Sequence, residues 1–277
     1  MTVSVPRDRS AGAAEPPPPQ GDRRTPDHHA LVSRWAPPLV ALLVGLALWQ
    51  LVIVLELGQL PLPSPWDVAY AAYDFGTSGE FWSAALESGR VLVQGFVPGV
   101  VLAVAVGMVV GQFDLLDRGV GPLLFAVYTT PFIALIPLLL ILFGFGVTGK
   151  TMIVFFLVWI TVVLQTVAGV RNVDDKHVEV ARAFRSPRFR EILEVTFPAA
   201  LPFIVAGIRL GIGRALVGVV VAEFETAVTG LGGVILLKAQ QLELAEAFIP
   251  ALFLGGVGVV LTSGLRRWEG RLQAWKQ

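Results

Sequence analysis

Six apolar stretches, each close to the length needed to cross a bilayer, dominate this chain: about 36–57, 92–112, 120–142, 151–169, 203–223 and 247–265. A helix rises 1.5 Å per residue, so about 20 apolar residues cover roughly 30 Å of hydrocarbon. Inside lipid every backbone N–H and C=O must be paired within the protein, which only helices and closed barrels achieve. The stretches carry no strand-like alternation, so the sequence predicts an all-α membrane protein with six transmembrane helices. Composition agrees, because only 15% of the 277 residues are charged, against about 25% in an ordinary soluble domain. The second and sixth stretches carry Gly95, Gly99, Gly107, Gly111 and Gly255, Gly256, Gly258, a pattern that predicts close helix packing in lipid.

The first residues are a different material. They hold the proline run Pro16 to Pro19, scattered arginines and acids, and almost no large apolar side chain. Such a segment buries too little surface to offset its ordering entropy. Residues 1–34 are therefore expected to be a disordered cytoplasmic tail, and 35–277 the transmembrane domain. A signal peptide fits less well, since its basic region would exceed thirty residues and no A-x-A site follows the first apolar run.

Orientation follows from the Lys and Arg residues. With the N-terminus inside, sixteen fall in inner segments (Arg7, Arg9, Arg23, Arg24, Arg34, Arg118, Arg171, Lys176, Arg182, Arg185, Arg188, Arg190, Arg266, Arg267, Arg271, Lys276) and three, Arg90, Lys150 and Lys238, in outer loops. Both termini are expected in the cytoplasm. A net charge of zero argues against a nucleic-acid partner, and zero cysteines exclude disulfides, thiolate metal sites and a Cys nucleophile. No Ser/His, HExxH or paired-Asp constellation lies in the spans, so no catalytic or metal-binding residue is proposed. His28, His29 and His177 read as solvated.

Gly144-Phe-Gly-Val-Thr-Gly149-Lys150-Thr151 matches the phosphate-loop pattern G-x-x-x-x-G-K-[ST]. A phosphate loop follows a buried strand and opens a helix toward a nucleotide. Here the match joins two membrane-length apolar runs on the side assigned to the outside. It reads as a turn between spans.

The inner segment between the fourth and fifth stretches is more informative. Val178, Ala181, Phe184 and then Phe189, Ile192, Leu193 recur at helical spacing, with Arg185-Ser-Pro187 between them. This predicts two short amphipathic helices, suited either to a lipid surface or to a soluble partner. The segment resembles the EAA loop of ABC importer permeases, which reads E-A-A, three residues, Gly, nine residues, I-x-L-P; here it falls on Glu179, Ala181, position 185, then Val195, Phe197 and Pro198. Val180 replaces the first alanine, and Arg185 replaces the glycine that usually permits the tight turn. Leu62-Pro-Ser-Pro65, Arg90-Val-Leu-x-x-Gly95-Phe, Pro137-Leu with Phe143-Gly-x-Gly146, Gly169-Val-Arg171-x-Val-Asp174, Gly207-Ile-Arg209-Leu and Ala222-Glu223 extend the likeness from about residue 35 to the C-terminus. In their order and spacing they are similar to the nitrate, taurine and aliphatic-sulfonate branch.

The resemblance implies a type I importer fold with cytoplasmic coupling helices in the loop at about 174–201. It implies a prokaryotic cytoplasmic membrane and a permease without its own catalytic site or cofactor, ATP and Mg being bound by two partner ATPase subunits. A second copy of the permease would complete the pore, and an extracytoplasmic binding protein would deliver a small, anionic, sulfonate-like or carboxylate solute for alternating-access transport. Glu179, Ala181, Arg185 and Pro198 would form the ATPase-coupling segment. An ion-coupled secondary transporter is the alternative, though such folds show inverted repeats and midplane ionisable residues, and the two halves here show no repeat.

Two arginines lie within the fifth stretch. Counted from Pro202, Arg209 is about 10 Å and Arg214 about 18 Å deep at 1.5 Å per residue. Arg209 is near enough to snorkel to the interface. A central arginine costs at least about 2.5–3.5 kcal/mol, and the interiors of the second, third, fourth and sixth stretches hold no acid to offset that. Arg214 is expected to meet water, carbonyls or glutamines such as Gln165, or an anion in a substrate pathway. Pro131 and Pro137 are kink sites that would line the same pathway.

Overall fold

The computed structural model describes residues 28–55, 62–174, 176, 179, 183–184, 187–226 and 229–273. Ala181 and Arg185 lie outside them, as do most of the residues assigned to the tail and the Lys276 end. Among the described residues the structure is helical. α1 spans His28–Val54, α2 Pro65–Asp74, α3 Gly79–Gln112, α4 Asp114–Thr129, α5 Phe132–Phe143 and α6 Val147–Arg171. α7 spans Phe197–Thr226, α8 Gly230–Gln240 and α9 Leu244–Gln273. Among the described residues five helices are long and apolar enough to cross a membrane, and six if α4 and α5 count as one broken span.

α1, as far as Leu51, belongs to a separate unit. It starts at His28, so the helix takes in the last residues that composition assigned to the tail. Pro37 and Pro38 lie within it.

In the second unit α6 is the central helix, packed along α3 on one side and α7 on the other. Ile153, Val154, Val158, Val162 and Val163 are fully buried on it. Small residues allow the close approach: a Cβ on Gly95, Gly107 or Gly111 of α3 would come within 2.6, 2.6 and 2.7 Å of Val154, Thr166 and Val170. The predicted packing role therefore holds for α3. It does not hold for Gly255 and Gly256 of α9, which face open space, whereas Gly258 abuts Leu216.

The third stretch is not one helix. Its two halves, α4 and α5, meet at an angle of 97°. Pro131 has no N–H and pushes Thr130 into extended backbone (φ −66°, ψ 135°). The Thr130 N–H and hydroxyl both donate to the Ala126 carbonyl, at 3.1 and 2.9 Å, closing the end of α4. At its other end α4 is tied to α6 by Arg171, which pairs with Asp114 (3.2 Å) and Asp117 (2.9 Å).

Of the two amphipathic helices expected before the fifth span, the first lies largely outside the described residues and the second is revised. Pro187 is extended (ψ 146°) and does break the chain. Beyond it, one helical turn at Arg188–Arg190 and a π-helical turn at Glu191–Thr196 run directly into α7. The second amphipathic segment is thus an extension of the fifth span. Pro198 explains the wide turn, because its ring clashes with a carbonyl four residues back and its missing N–H removes that bond.

Candidate functional site

The break between α4 and α5 opens a cavity of about 220 Å³ against α6 and α7. Thr130, Pro131, Phe132 and Ile136 come from the break, Leu157 and Thr161 from α6, and Arg214, Val217 and Val221 from α7. Tyr128 brings a phenol to the same wall. Thr161 donates its hydroxyl to the Leu157 carbonyl at 2.9 Å, and Thr130 is bonded likewise, so both keep only acceptor capacity. Arg214 is the single charge in a lining that is otherwise apolar or hydroxylic.

Arg214 lies on an exposed strip of α7 with Leu210, Gly213 and Val217. It makes no hydrogen bond or ion pair with a described residue, Gln165 included. Its five N–H donors are free for an oxyanion. The structure thus brings Arg214 and Pro131, two of the three predicted pathway residues, to one cavity. Pro137 is exposed on α5 and does not line it. Arg209 is not left alone in the span: it pairs with Glu269 of α9. That acid lay beyond the predicted end of the sixth span, which the helix overruns.

A second cluster lies where α3, α6 and α7 meet the start of α8. Glu223 is fully buried. One carboxylate oxygen accepts from the Ser88 hydroxyl at 2.7 Å, the other from the Gly232 N–H at 2.7 Å. Ser88 in turn accepts from the Leu231 N–H at 2.8 Å. Thr229, the residue before α8, makes no side-chain cap, so a carboxylate from α7 and a hydroxyl from α3 satisfy donors that a local cap would otherwise serve. Gly230 is required here, at φ +86° and with the position of a Cβ only 2.0 Å from a Glu223 oxygen. At the other end of α8, Lys238 pairs with Glu243 and Glu246, each at 2.7 Å. These bonds hold its ammonium above the ordinary lysine range.

Lys150 lies beside Glu223 at the start of α8 and not in an open loop. It is 2% exposed on the first turn of α6. Its ammonium lies 3.3 Å from Glu87 and 2.6 Å from the Thr229 hydroxyl, which also bonds Glu87. Gly144 takes φ +87° to end α5, and a Cβ on Gly149 would lie 1.9 Å from the Gly144 carbonyl. The phosphate-loop pattern is accounted for by a turn, a close approach and a buried ion pair. Sequence reasoning missed the cluster because Glu87, Ser88 and Arg90 precede the second apolar stretch, whereas α3 begins at Gly79, capped by Ser78, which accepts from the Phe81 N–H at 3.1 Å.

Of the residues predicted to couple to an ATPase, Glu179 is helical and exposed, and Pro198 is exposed on the first turn of α7. Phe184 and Phe189 lie on either side of the break at Pro187, both strongly exposed. Glu191 is buried and accepts from Gln112 of α3 at 3.5 Å, which fixes the start of the π turn against the bundle.

The family described as "Binding-protein-dependent transport system inner membrane component" matches residues 99–273. A probable ABC transporter permease protein of Brucella abortus is 29% identical over 239 residues, covering 86% of this chain and 95% of that protein. A putative aliphatic sulfonates transport permease protein of Bacillus subtilis is 30% identical over 243 residues, covering 87% and 88%. A bicarbonate transport system permease protein of Synechocystis is 28% identical over 241 residues, covering 83% and 85%.

Proposed function

The chain belongs to the family of binding-protein-dependent transport inner membrane components, in the nitrate, taurine and aliphatic-sulfonate branch, and from that premise we propose that it is the pore-forming subunit of an ATP-driven importer of a small anion. The solute, sulfonate-like or carboxylate, passes into the cytoplasm by alternating access. The observation that carries this reading is Arg214. A guanidinium on an exposed helix face at mid-span is too costly to leave against lipid. A second copy of the chain and a water-filled path between the copies remove that cost. Low-dielectric walls then strengthen the field of the one cation in the cavity, drawing anions and repelling cations.

In this reading two ATP-binding subunits dock on the cytoplasmic segment around Glu179, Phe184, Phe189 and Pro198, and an extracytoplasmic binding protein delivers the solute at the α8 end. The sixteen-to-three division of Lys and Arg supports cytoplasmic positions for both termini. The continuous run from Arg188 through Thr226 supports a direct transmission path: force applied near Pro187 travels along one helix to Arg214. Pro131 supplies a bend that the pathway uses.

Proteoliposomes containing this chain, its ATPase subunit and its binding protein test the proposal. A labelled alkanesulfonate or carboxylate should accumulate only with internal binding of ATP by the ATPase subunit and with the binding protein present. Accumulation driven by a proton or sodium gradient without ATP would instead make the chain a secondary transporter.

A further inference from the structure

α2 is a ten-residue helix whose side chains divide into four faces. Successive residues are turned by about 100°. Trp66, Tyr70 and Tyr73 consequently fall within about 60° of arc; they are 81%, 79% and 78% exposed. On the opposite side Val68 is buried and Ala71 packs into the cluster of Phe75, Phe81, Leu231 and Ile249, where α2 meets α9. Asp67 and Asp74 share a third side, between these two. Ala69 and Ala72 occupy the fourth, and both are exposed.

We infer that α2 lies flat in the headgroup layer of the bilayer at the α8 end of the bundle, with Trp66, Tyr70 and Tyr73 as its lipid anchors. One face rests on protein, and the aromatic face points sideways into lipid. The aspartate face points up into water, and the alanine face points down toward hydrocarbon. Trp and Tyr are the side chains suited to that layer, having an apolar ring and one polar atom that stays hydrated. A water-facing helix would have no use for three adjacent exposed aromatics, and one sunk in hydrocarbon would not carry two aspartates. The helix is also rigid enough to serve as an anchor. Pro65 occupies its first position, and Ser64 and Asp67 bond reciprocally, with Asp67 N–H to Ser64 hydroxyl at 3.2 Å and Ser64 N–H to Asp67 carboxylate at 2.8 Å. Those bonds from Ser64 hold the Asp67 carboxyl below its ordinary range, so it stays charged at the surface. The adjoining surface agrees. α3 begins after four intervening residues and carries exposed Trp82, Leu86, Val93, Val97 and Val101 along one side, a lipid-facing strip with a tryptophan at the same end.

The chain has no cysteine, so Trp66→Cys, Tyr70→Cys, Tyr73→Cys and Asp74→Cys each take a nitroxide label without background. The full chain is placed in phosphatidylcholine–phosphatidylglycerol nanodiscs, and collisions with oxygen and with a water-soluble nickel chelate are read by power saturation. The oxygen-to-chelate ratio should be several-fold higher at positions 66, 70 and 73 than at 74. Equal ratios at all four would put the aromatic face in water, as a docking face for a soluble protein. Shielding of 66, 70 and 73 from both reagents would mean that a protein, such as a second copy, covers them. Either result overturns the inference. Lipids brominated near the headgroup provide a check with the native side chain: they should quench the wild-type chain more than Trp66→Phe. Equal quenching would also overturn it.

Discussion

Removing the Glu223 carboxylate gives the sharpest test of how α8 is held. In Glu223→Ala the Gly232 N–H and the Ser88 hydroxyl each lose a 2.7 Å partner, both in a site closed to water. Hydrogen bonds to a charged group contribute about 1.5–3 kcal/mol each, so the loss is on the order of 3–6 kcal/mol. Glu223→Gln behaves differently. Its amide oxygen still accepts from Gly232 and its amide nitrogen donates to Ser88, so the losses are the acceptor of the Ser88 hydroxyl and the attraction between charge and helix N-terminus, together about 1–2 kcal/mol. Hydrogen exchange of the peptide covering α8 reads this directly, because tenfold faster exchange corresponds to about 1.4 kcal/mol of local stability. Glu223→Ala should speed exchange at Leu231 and Gly232 by roughly a hundredfold or more, and Glu223→Gln by less, about five- to thirtyfold. The melting temperature should fall in the same order. If Glu223→Ala leaves α8 protection and melting unchanged, the capping role drawn from these bonds is wrong.

Lys150→Met should lower the melting temperature by leaving Glu87 half-buried without its cation, a loss of about 1–3 kcal/mol; photolabelling should show no nucleotide on the wild-type chain, and labelling at Lys150 would contradict the turn reading. Glu179→Lys should leave membrane insertion and folding intact but abolish solute-stimulated ATP hydrolysis in the reconstituted complex, and wild-type stimulation would remove Glu179 from the coupling segment. Arg209→Ala should destabilise the packing of α7 on α9 by stranding Glu269, whereas the pair replacement Arg209→Leu with Glu269→Leu should recover much of the loss. Melting curves of the three proteins compare them.

The spans themselves were legible because membrane length and apolarity leave few alternatives, and α6 and α7 follow the predicted stretches closely. The interior side of α3 was legible from its glycines. What was not legible depended on partners distant in sequence. Lys150 reads as a loop residue until Glu87 and Thr229 are brought beside it, and Arg209 reads as unpaired until Glu269 appears on α9. Pro131 marked a kink, but the angle of 97° is set by how α5 packs on α6, through Ile136 and Leu140 against Ile153 and Leu157. α2 left a local signal that was passed over: Ser64, Pro65 and Asp67 form a helix start. Its faces become meaningful only once Val68 and Ala71 are seen against protein. The continuity of the coupling segment with α7 is likewise hidden, since Pro198 reads as a break and the π turn absorbs it.

The central claim is that Arg214 faces an anion pathway. Uptake of a labelled anionic solute and the melting temperature, measured on one reconstituted preparation of Arg214→Gln, test it most directly. Losing one charge-assisted contact of about 1.5–3 kcal/mol should cut uptake per folded complex roughly ten- to a hundredfold, with assembly, basal ATP hydrolysis and melting temperature near those of the unmodified chain. Unchanged uptake with a lowered melting temperature would make Arg214 a packing residue and contradict the account.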